Sequence, residues 1–292
     1  MVDAFGGIGI VWEHRYYGTS VPVNITLDTP PEAFRYLTTE QSLADVVTFA
    51  SNFSRPDIHK DLTPAGTPWV FVGGSYPGMR AAFMREFYPD TITASFASSA
   101  PVEAKVDMSV YFEPVYRGMN AYGFGNCTAD IHAAILYMDK LMESPAAAAA
   151  LKEQFLGRGA ANNSNPTFAD ALSTIFYQWQ SYGVEGGSLG LRAFCDYIET
   201  DPVTNATAPA EGWAASKGAN YTVSRWASFP YFYQEVNSYM TTDCEGPFVT
   251  NKTSAPTDCN LDLRFEDPAS ISWTWQYCTV SLHPSSPREH RY

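Results

Sequence analysis

The sequence predicts an α/β chain in which a parallel sheet flanked by helices is followed by a mainly helical insertion. Two observations carry that expectation. First, apolar runs of strand length recur at 7–14, 68–74 and 91–102, and the segments between them have apolar residues at helical spacing. The resulting β-α-β-α-β order, with near-continuous apolar strands, is that of an open parallel sheet covered on both faces. Second, the strand rhythm stops at about residue 103, where Tyr, Phe, Trp, Asn and Gly become frequent. The expected organisation is a core over 1–102, a helical cap over 103–278 and a disordered tail over 279–292.

Each element has its own local reason. GIGIVWEH, residues 7–14, is bounded by glycines and by RYYG, the pattern of a strand buried on both faces. LTTEQSLADVVTFASNF places Leu43, Val46, Val47, Ala50 and Phe53 on one helical face, and Thr38 with Gln41 has the spacing of a capping box. PWVFVGG reads as a second buried strand. MRAAFMREFYP reads as a helix ending at or before Pro89, and TITASFASSAPV as a third strand. Beyond 103, helices are expected near 129–156 and 167–181, with loops at 157–166 and 200–222. The closing TVSLHPSSPREHRY has neither apolar periodicity nor a capping pattern.

Composition narrows the partners. A formal charge of −13, spread without long like-charge runs, disfavours a phosphate-binding surface, so nucleic acid is not an expected partner. AAAAALKEQFL at 146–156 is the nearest approach to a long apolar stretch, and charge interrupts it, so no membrane span is expected. Asn-X-Ser/Thr acceptors occur at Asn24, Asn52, Asn126, Asn162, Asn205, Asn220 and Asn251. Chance pairing would give about two. Five cysteines, Cys127, Cys195, Cys244, Cys259 and Cys278, lack paired zinc-type spacing. Together these predict a disulfide-bearing glycoprotein of the secretory route, although no basic, apolar leader follows Met1. No metal or cofactor is expected, because no His/Asp/Glu/Cys grouping has ligand spacing and the glycine-rich turn lacks the Lys-Ser/Thr of a phosphate loop.

That turn, FVGGSYPGM at 71–79, carries the chemistry. A strand, a sharp turn and a helix around Gly-X-Ser-X-Gly form a nucleophile elbow, in which small residues let the helix pass close to the strand. Gly73, Gly74 and Gly78 surround Ser75, and Pro77 replaces the generic second glycine. Proline is tolerated in a first helical turn because its missing N–H would have no helical acceptor. Ser75 is the expected nucleophile, and the Tyr76 amide the expected oxyanion donor, a contact contributing about 3–4 kcal/mol to transition-state stabilisation. The competing reading is a glycine-rich turn with an incidental serine.

FGGIGIVWEHRYYGTS, LTTEQSLADVVTFA, WVFVGGSYPGMRAAFMREFYP and SFASSAPV follow one another in an order and spacing that resembles the S28 family of serine peptidases. This is the family of prolyl carboxypeptidase, dipeptidyl peptidase II and secreted fungal relatives. The resemblance runs from about Phe5 to Cys278, and EHRYYG followed by GGSYPG is its most specific part. It implies an α/β-hydrolase core, here partial, with a helical cap inserted after the strand that follows the nucleophile. It also implies a peptide substrate cut near a terminus after proline or small residues, usually at acidic pH. Ser75 takes the nucleophile's place and Tyr76 the oxyanion donor's. SWTWQYC resembles the segment where the family's cap nears the active site, so Trp273 and Trp275 are candidate walls for a prolyl ring, against the plainer reading of core packing.

A serine nucleophile needs an imidazole and a carboxylate, which follow it in chain order in α/β-hydrolases. In the S28 family both lie beyond the segment that SWTWQYC matches, where this sequence has no aspartate. His14 precedes the serine, and hydrogen bonding within the fold is its expected role. His59 and His132 are expected at the surface, and His283 and His290 in the tail. Asp243, Asp258, Asp262 and Asp267 read as loop residues. The expectation is therefore a family member truncated at both ends, secreted or vacuolar-lysosomal in its full-length form. Its rivals are a catalytically inactive, peptide-binding hydrolase fold and an esterase or lipase on the same scaffold.

Overall fold

The computed structural model describes residues 2–103, 109–249, 258–262 and 265–279. The chain divides into two compact units, one formed by Met1–Val106 with Arg264–Tyr292 and the other by Asp107–Leu263. The first is a small parallel sheet with helices, and the second is helical.

In the first unit a one-turn helix α1 (Val2–Phe5) precedes α2 (Thr39–Asn52). Thr38 caps α2 by accepting a hydrogen bond from the Gln41 amide at 3.3 Å, one half of the capping box expected from the sequence. Strand β1 (Val70–Gly74) leads into α3 (Tyr76–Phe87), and β2 (Ala94–Ser98) follows. β1 and β2 pair in parallel, from Val70 opposite Ala94 to Gly74 opposite Ser98. Leu43 and Val46 of α2 are buried with Met84 of α3 and Ile92, and Trp12, Trp69 and Phe71 pack around them. A second cluster joins Tyr16, Ile25, Phe34 and Leu37 to Ile271 and Trp275 of α12 (Pro268–Thr279). Those contacts place α12 with the first unit, whereas the sequence assigned residues up to 278 to the cap.

Two sequence expectations fail here. Residues 7–14 form no strand, and Ile8, Ile10 and Val11 are exposed. The sheet is also not covered on both faces. Phe71 faces the helices, while Val70, Val72 and the cross-strand neighbour Phe96 are 57%, 49% and 59% exposed on the opposite face. Apolar character qualifies a segment for burial, but a strand exists only where a ladder neighbour supplies hydrogen bonds. Among the described residues 7–14 has none.

The second unit contains α4 (Glu113–Ala121), α5 (Gly125–Met142), α6 (Pro145–Leu156), α7 (Asn165–Tyr182), α8 (Leu191–Glu199), α9 (Ala214–Lys217), α10 (Ala219–Ala227) and α11 (Phe232–Met240). Phe155, Phe168, Phe194, Trp226 and Phe232 meet edge to face at its centre. Disulfides join Cys127 to Cys195 and Cys244 to Cys259, and Cys278 is free and exposed. The loop expected over 200–222 instead holds a Thr200–Thr207 bridge, α9 and the start of α10. Short polar and glycine-rich stretches mask these elements, since propensity counts little against packing onto a core. The expected tail lies outside the described residues apart from Thr279, which ends α12. No helix among the described residues is long and apolar enough to cross a membrane.

Candidate active site

Ser75 joins β1 to α3 with φ 58° and ψ −127°, a backbone conformation unusual for a residue with a side chain. Its amide donates to the Ser98 carbonyl at the end of β2 (2.9 Å), and its own carbonyl accepts from the Met79 amide in α3 (3.0 Å). The turn is therefore held from both sides, and the side chain is left exposed. Close approach explains two of the three glycines. A Cβ on Gly73 would lie 2.1 Å from the Pro77 carbonyl oxygen, and one on Gly78 would lie 2.7 Å from that of Ser98. Gly74 has open space. Tyr76 opens α3, so its N–H has no intrahelical acceptor.

The segment EHRYYG packs directly behind this turn. The Nδ1 of His14 lies 2.7 Å from the Arg15 carbonyl oxygen, which can only accept, so Nδ1 carries the proton. Nε2 is then free to accept from the Tyr76 hydroxyl at 3.1 Å. Arg15 grips Asp45 of α2 with two bonds of 2.6 Å and also donates to the Tyr36 carbonyl and the Gln41 side chain. The Tyr16 hydroxyl donates to the Ala33 carbonyl at 2.6 Å. The Tyr17 hydroxyl donates to Gln276 of α12 at 2.9 Å, and Ser272 of α12 donates to the Tyr16 carbonyl at 3.1 Å. EHRYYG thus ties α2, α3 and α12 together.

Electrostatics follow from burial. Desolvation pushes His14 down to about 4, keeping the imidazole neutral near neutral pH. It also raises the Tyr76 phenol, and it lowers the Arg80 guanidinium, whose Nη2 donates to the Ser42 carbonyl at 2.9 Å. Both His14 nitrogens are committed, so this histidine positions Tyr76. Because the folded pKa lies below the ordinary 6.5, the unfolded chain binds the proton first as pH falls. Stability from the neutral imidazole is present above about 6.5 and is lost progressively towards 4, by about 3 kcal/mol in total. Replacement His14→Gln should flatten the acid limb of the urea midpoint against pH for the first unit, and an unchanged limb would refute this account.

The other expected residues are distributed unevenly. Trp273 sits edge to face on Tyr76 with centroids 5.5 Å apart and is 42% exposed. Trp275 stacks on Phe34 at 5.1 Å, a packing contact. Residues two apart on a helix point to different sides, which separates the pair. His59 and His132 are exposed, while His283 and His290 lie outside the described residues. Asp262 accepts from Ser164 and Thr167 at the start of α7, and Asp267 accepts from the Ser270 amide at the start of α12. Asp243 and Asp258 are exposed. Among the described residues no imidazole is hydrogen-bonded to the Ser75 hydroxyl. Of the acceptor asparagines, Asn24, Asn52, Asn162, Asn205 and Asn220 are exposed, Asn126 is half-buried beside Cys127, and Asn251 lies outside the described residues.

The links from His14 to Tyr76 and from Tyr17 to Gln276 were not foreseen as site features. EHRYYG was their only signal, and it did not name their partners.

Comparison with known proteins agrees with this geometry. The family model described as serine carboxypeptidase S28 matches residues 1–285. A "Probable extracellular serine carboxypeptidase" of Arthroderma benhamiae is 30% identical over 95% of this chain and 39% of its own length. The thymus-specific serine protease of Homo sapiens is 32% identical over 68% of this chain and 38% of its own. The lysosomal Pro-X carboxypeptidase of Mus musculus is 37% identical over 31% of this chain and 18% of its own. The chain thus spans about two fifths of the length of the first two relatives. With a family match over nearly all its residues, the chain belongs to the serine carboxypeptidase S28 family.

Proposed function

We propose that this chain carries the nucleophile of a serine-type exopeptidase that cuts near a peptide terminus after proline or a small residue. The observation that carries the reading is the Ser75 turn, an exposed serine at φ 58° with the Tyr76 amide, which has no intrahelical acceptor, beside it. In the reaction the Ser75 oxygen attacks the scissile carbonyl, its proton passes to a general base, and an acyl-enzyme forms as the amine departs. The developing oxyanion is met by the Tyr76 N–H. Tyr76 and the part-exposed Trp273 ring beside it offer apolar aromatic surface to a prolyl ring. The mainly helical insertion, read from the sequence as 103–278 and corresponding to the unit Asp107–Leu263, is the cap of this hydrolase fold. Two disulfides and the exposed glycan acceptors favour a protein of the secretory route, whether secreted or lysosomal-vacuolar.

A second reading, a peptide-binding hydrolase fold without turnover, is favoured by the lack of any imidazole on Ser75 among the described residues. A fluorophosphonate probe separates the two. The peptidase reading expects covalent labelling that peptide mapping assigns to Ser75 and that Ser75→Ala removes. Folded protein that binds prolyl peptides yet stays unlabelled supports the second reading and overturns the first. Faster turnover of short acyl esters than of prolyl peptides would favour an esterase.

A further inference from the structure

The second unit buries two carboxyl groups that the proposed chemistry does not use. Asp130 of α5 is fully buried, and Glu199 at the end of α8 is 4% exposed. Their meeting follows from helix periodicity. Cys127 and Cys195 bridge α5 to α8, Asp130 lies three residues beyond the first and Glu199 four beyond the second. Those spacings put each acid on the bridged face of its helix, one turn along from the disulfide.

The two acids are supplied with donors very unequally. Asp130 accepts from the Trp213 and Ala214 amides at 2.7 Å each, which fastens the start of α9 to α5. Neither side-chain oxygen of Glu199 receives a hydrogen bond from any donor among the described residues. Its backbone carbonyl accepts from the Ala208 amide (2.8 Å) and the Trp213 indole (3.0 Å), which pins those two residues of the 200–214 segment to the end of α8.

Among the described residues neither Glu199 oxygen is bonded to a cation. On α10, Arg225 donates through Nη2 to the Tyr197 and Thr200 carbonyls and stacks on Tyr197, its Nε left without a partner among the described residues, and Tyr221 reaches Asp201. On α9, Lys217 is paired with Asp201. On α8 itself, Arg192 pairs with Glu185, and Asp196 is exposed. Asp170 of α7 is also exposed. Two carboxyl groups buried within one turn of the same disulfide, neither of them ion-paired among the described residues, cannot both be ionised cheaply.

We propose that Glu199 and Asp130 hold one proton between them and form a latch that keeps 200–214 closed until that proton is lost. In the closed state the Glu199 hydroxyl donates to the Asp130 carboxylate, whose remaining lone pairs hold the Trp213 and Ala214 amides. Loss of the proton to solvent leaves two like charges at one buried point. The weaker attachment, the two amides of the 200–214 segment, then opens to let water in. The disulfide keeps α5 and α8 together, so the opening is local. Burial and the neighbouring Asp130 push Glu199 up to about 8, which sets the pH of release. The latch does not depend on the function proposed for Ser75.

The test is unfolding and hydrogen exchange of the intact chain against pH. Glu199 takes up a proton on folding between its ordinary value of 4.5 and about 8. Across that window it alone should raise the unfolding constant of the second unit about tenfold per pH unit. Glu199→Gln should remove that increment and keep the Trp213 and Ala214 amides protected at alkaline pH. In the unaltered protein with 13C-labelled glutamate, infrared spectra should show a protonated glutamate carboxyl at neutral pH. That signal should vanish as exchange at the two amides, corrected for its intrinsic pH dependence, accelerates. Equal pH slopes in the two proteins, or no protonated glutamate at neutral pH, would overturn the latch. The infrared measurement stands even where the variant does not fold.

Discussion

Gly73→Ala should disrupt the Ser75 turn, while Gly74→Ala, one residue on, should be nearly silent. The added methyl at 73 would meet backbone, 2.1 Å from the Pro77 oxygen, 2.2 Å from its carbonyl carbon and 2.7 Å from the Gly78 nitrogen. No rotamer relieves a clash between a Cβ and main chain, so the start of α3 must move off β1. That movement pulls on the Ser75–Ser98 and Met79–Ser75 hydrogen bonds which hold the serine at positive φ. Overpacking a tight site costs about 1–3 kcal/mol, occasionally more, and a contact wholly with backbone belongs at the upper end. At Gly74 a Cβ meets nothing within 4 Å. Urea midpoints of the two variants and hydrogen exchange at Ser75 measure the contrast. A Gly73→Ala protein as stable as Gly74→Ala would show that the glycine pair does not bring helix and strand together.

The same pair shows what the sequence could and could not disclose. GGS before a helical segment announces a turn of this type, because strain at the serine demands small neighbours. Which glycine is obligatory depends on where Pro77 passes, and only the folded turn decides that. Thr38 and Gln41 were legible because a cap is a contact over three residues. The partner of His14 was not legible, since Tyr76 lies 62 residues away and Gln276 lies 259 residues from Tyr17. Residues 7–14 misled because apolar character is a property of the segment, whereas a ladder is a property of its neighbours. Trp273 and Trp275 look alike in SWTWQYC, yet the turn of the helix sends one to Tyr76 and the other onto Phe34.

The buried titratable groups set opposite pH responses in the two units. His14 is held neutral by burial, so the first unit loses stability as pH falls below about 6.5. Glu199 is held protonated by burial and by Asp130, so the second unit loses stability as pH rises from about 4.5 towards 8. Neither response is inferable from the net charge of −13, which is the same number wherever the charges lie. Each depends on one desolvated side chain and on which partner is within reach of it.

Removing the Cys127–Cys195 bridge as Cys127→Ala/Cys195→Ala should cost the second unit more than any surface change. The bridge closes a separation of 68 residues, against 15 for Cys244–Cys259. In the chain-entropy account these correspond to about 4 and about 3 kcal/mol of stabilisation. Both sulfurs of the longer bridge sit in the aromatic core, at 0% and 1% exposure, so a packing loss adds to the entropic one. The two double variants, compared by urea unfolding with unaltered protein, should fall in that order. Because the entropic part acts on the unfolded chain, the folded arrangement of α5 and α8 should survive the loss. The pH dependence attributed to Glu199 should then persist in the destabilised variant, with its slope intact and its midpoints lowered throughout. A loss below about 1 kcal/mol would reject the loop-closure argument for this unit. A lost pH slope would instead mean that the disulfide, rather than the surrounding core, holds the two carboxyl groups together.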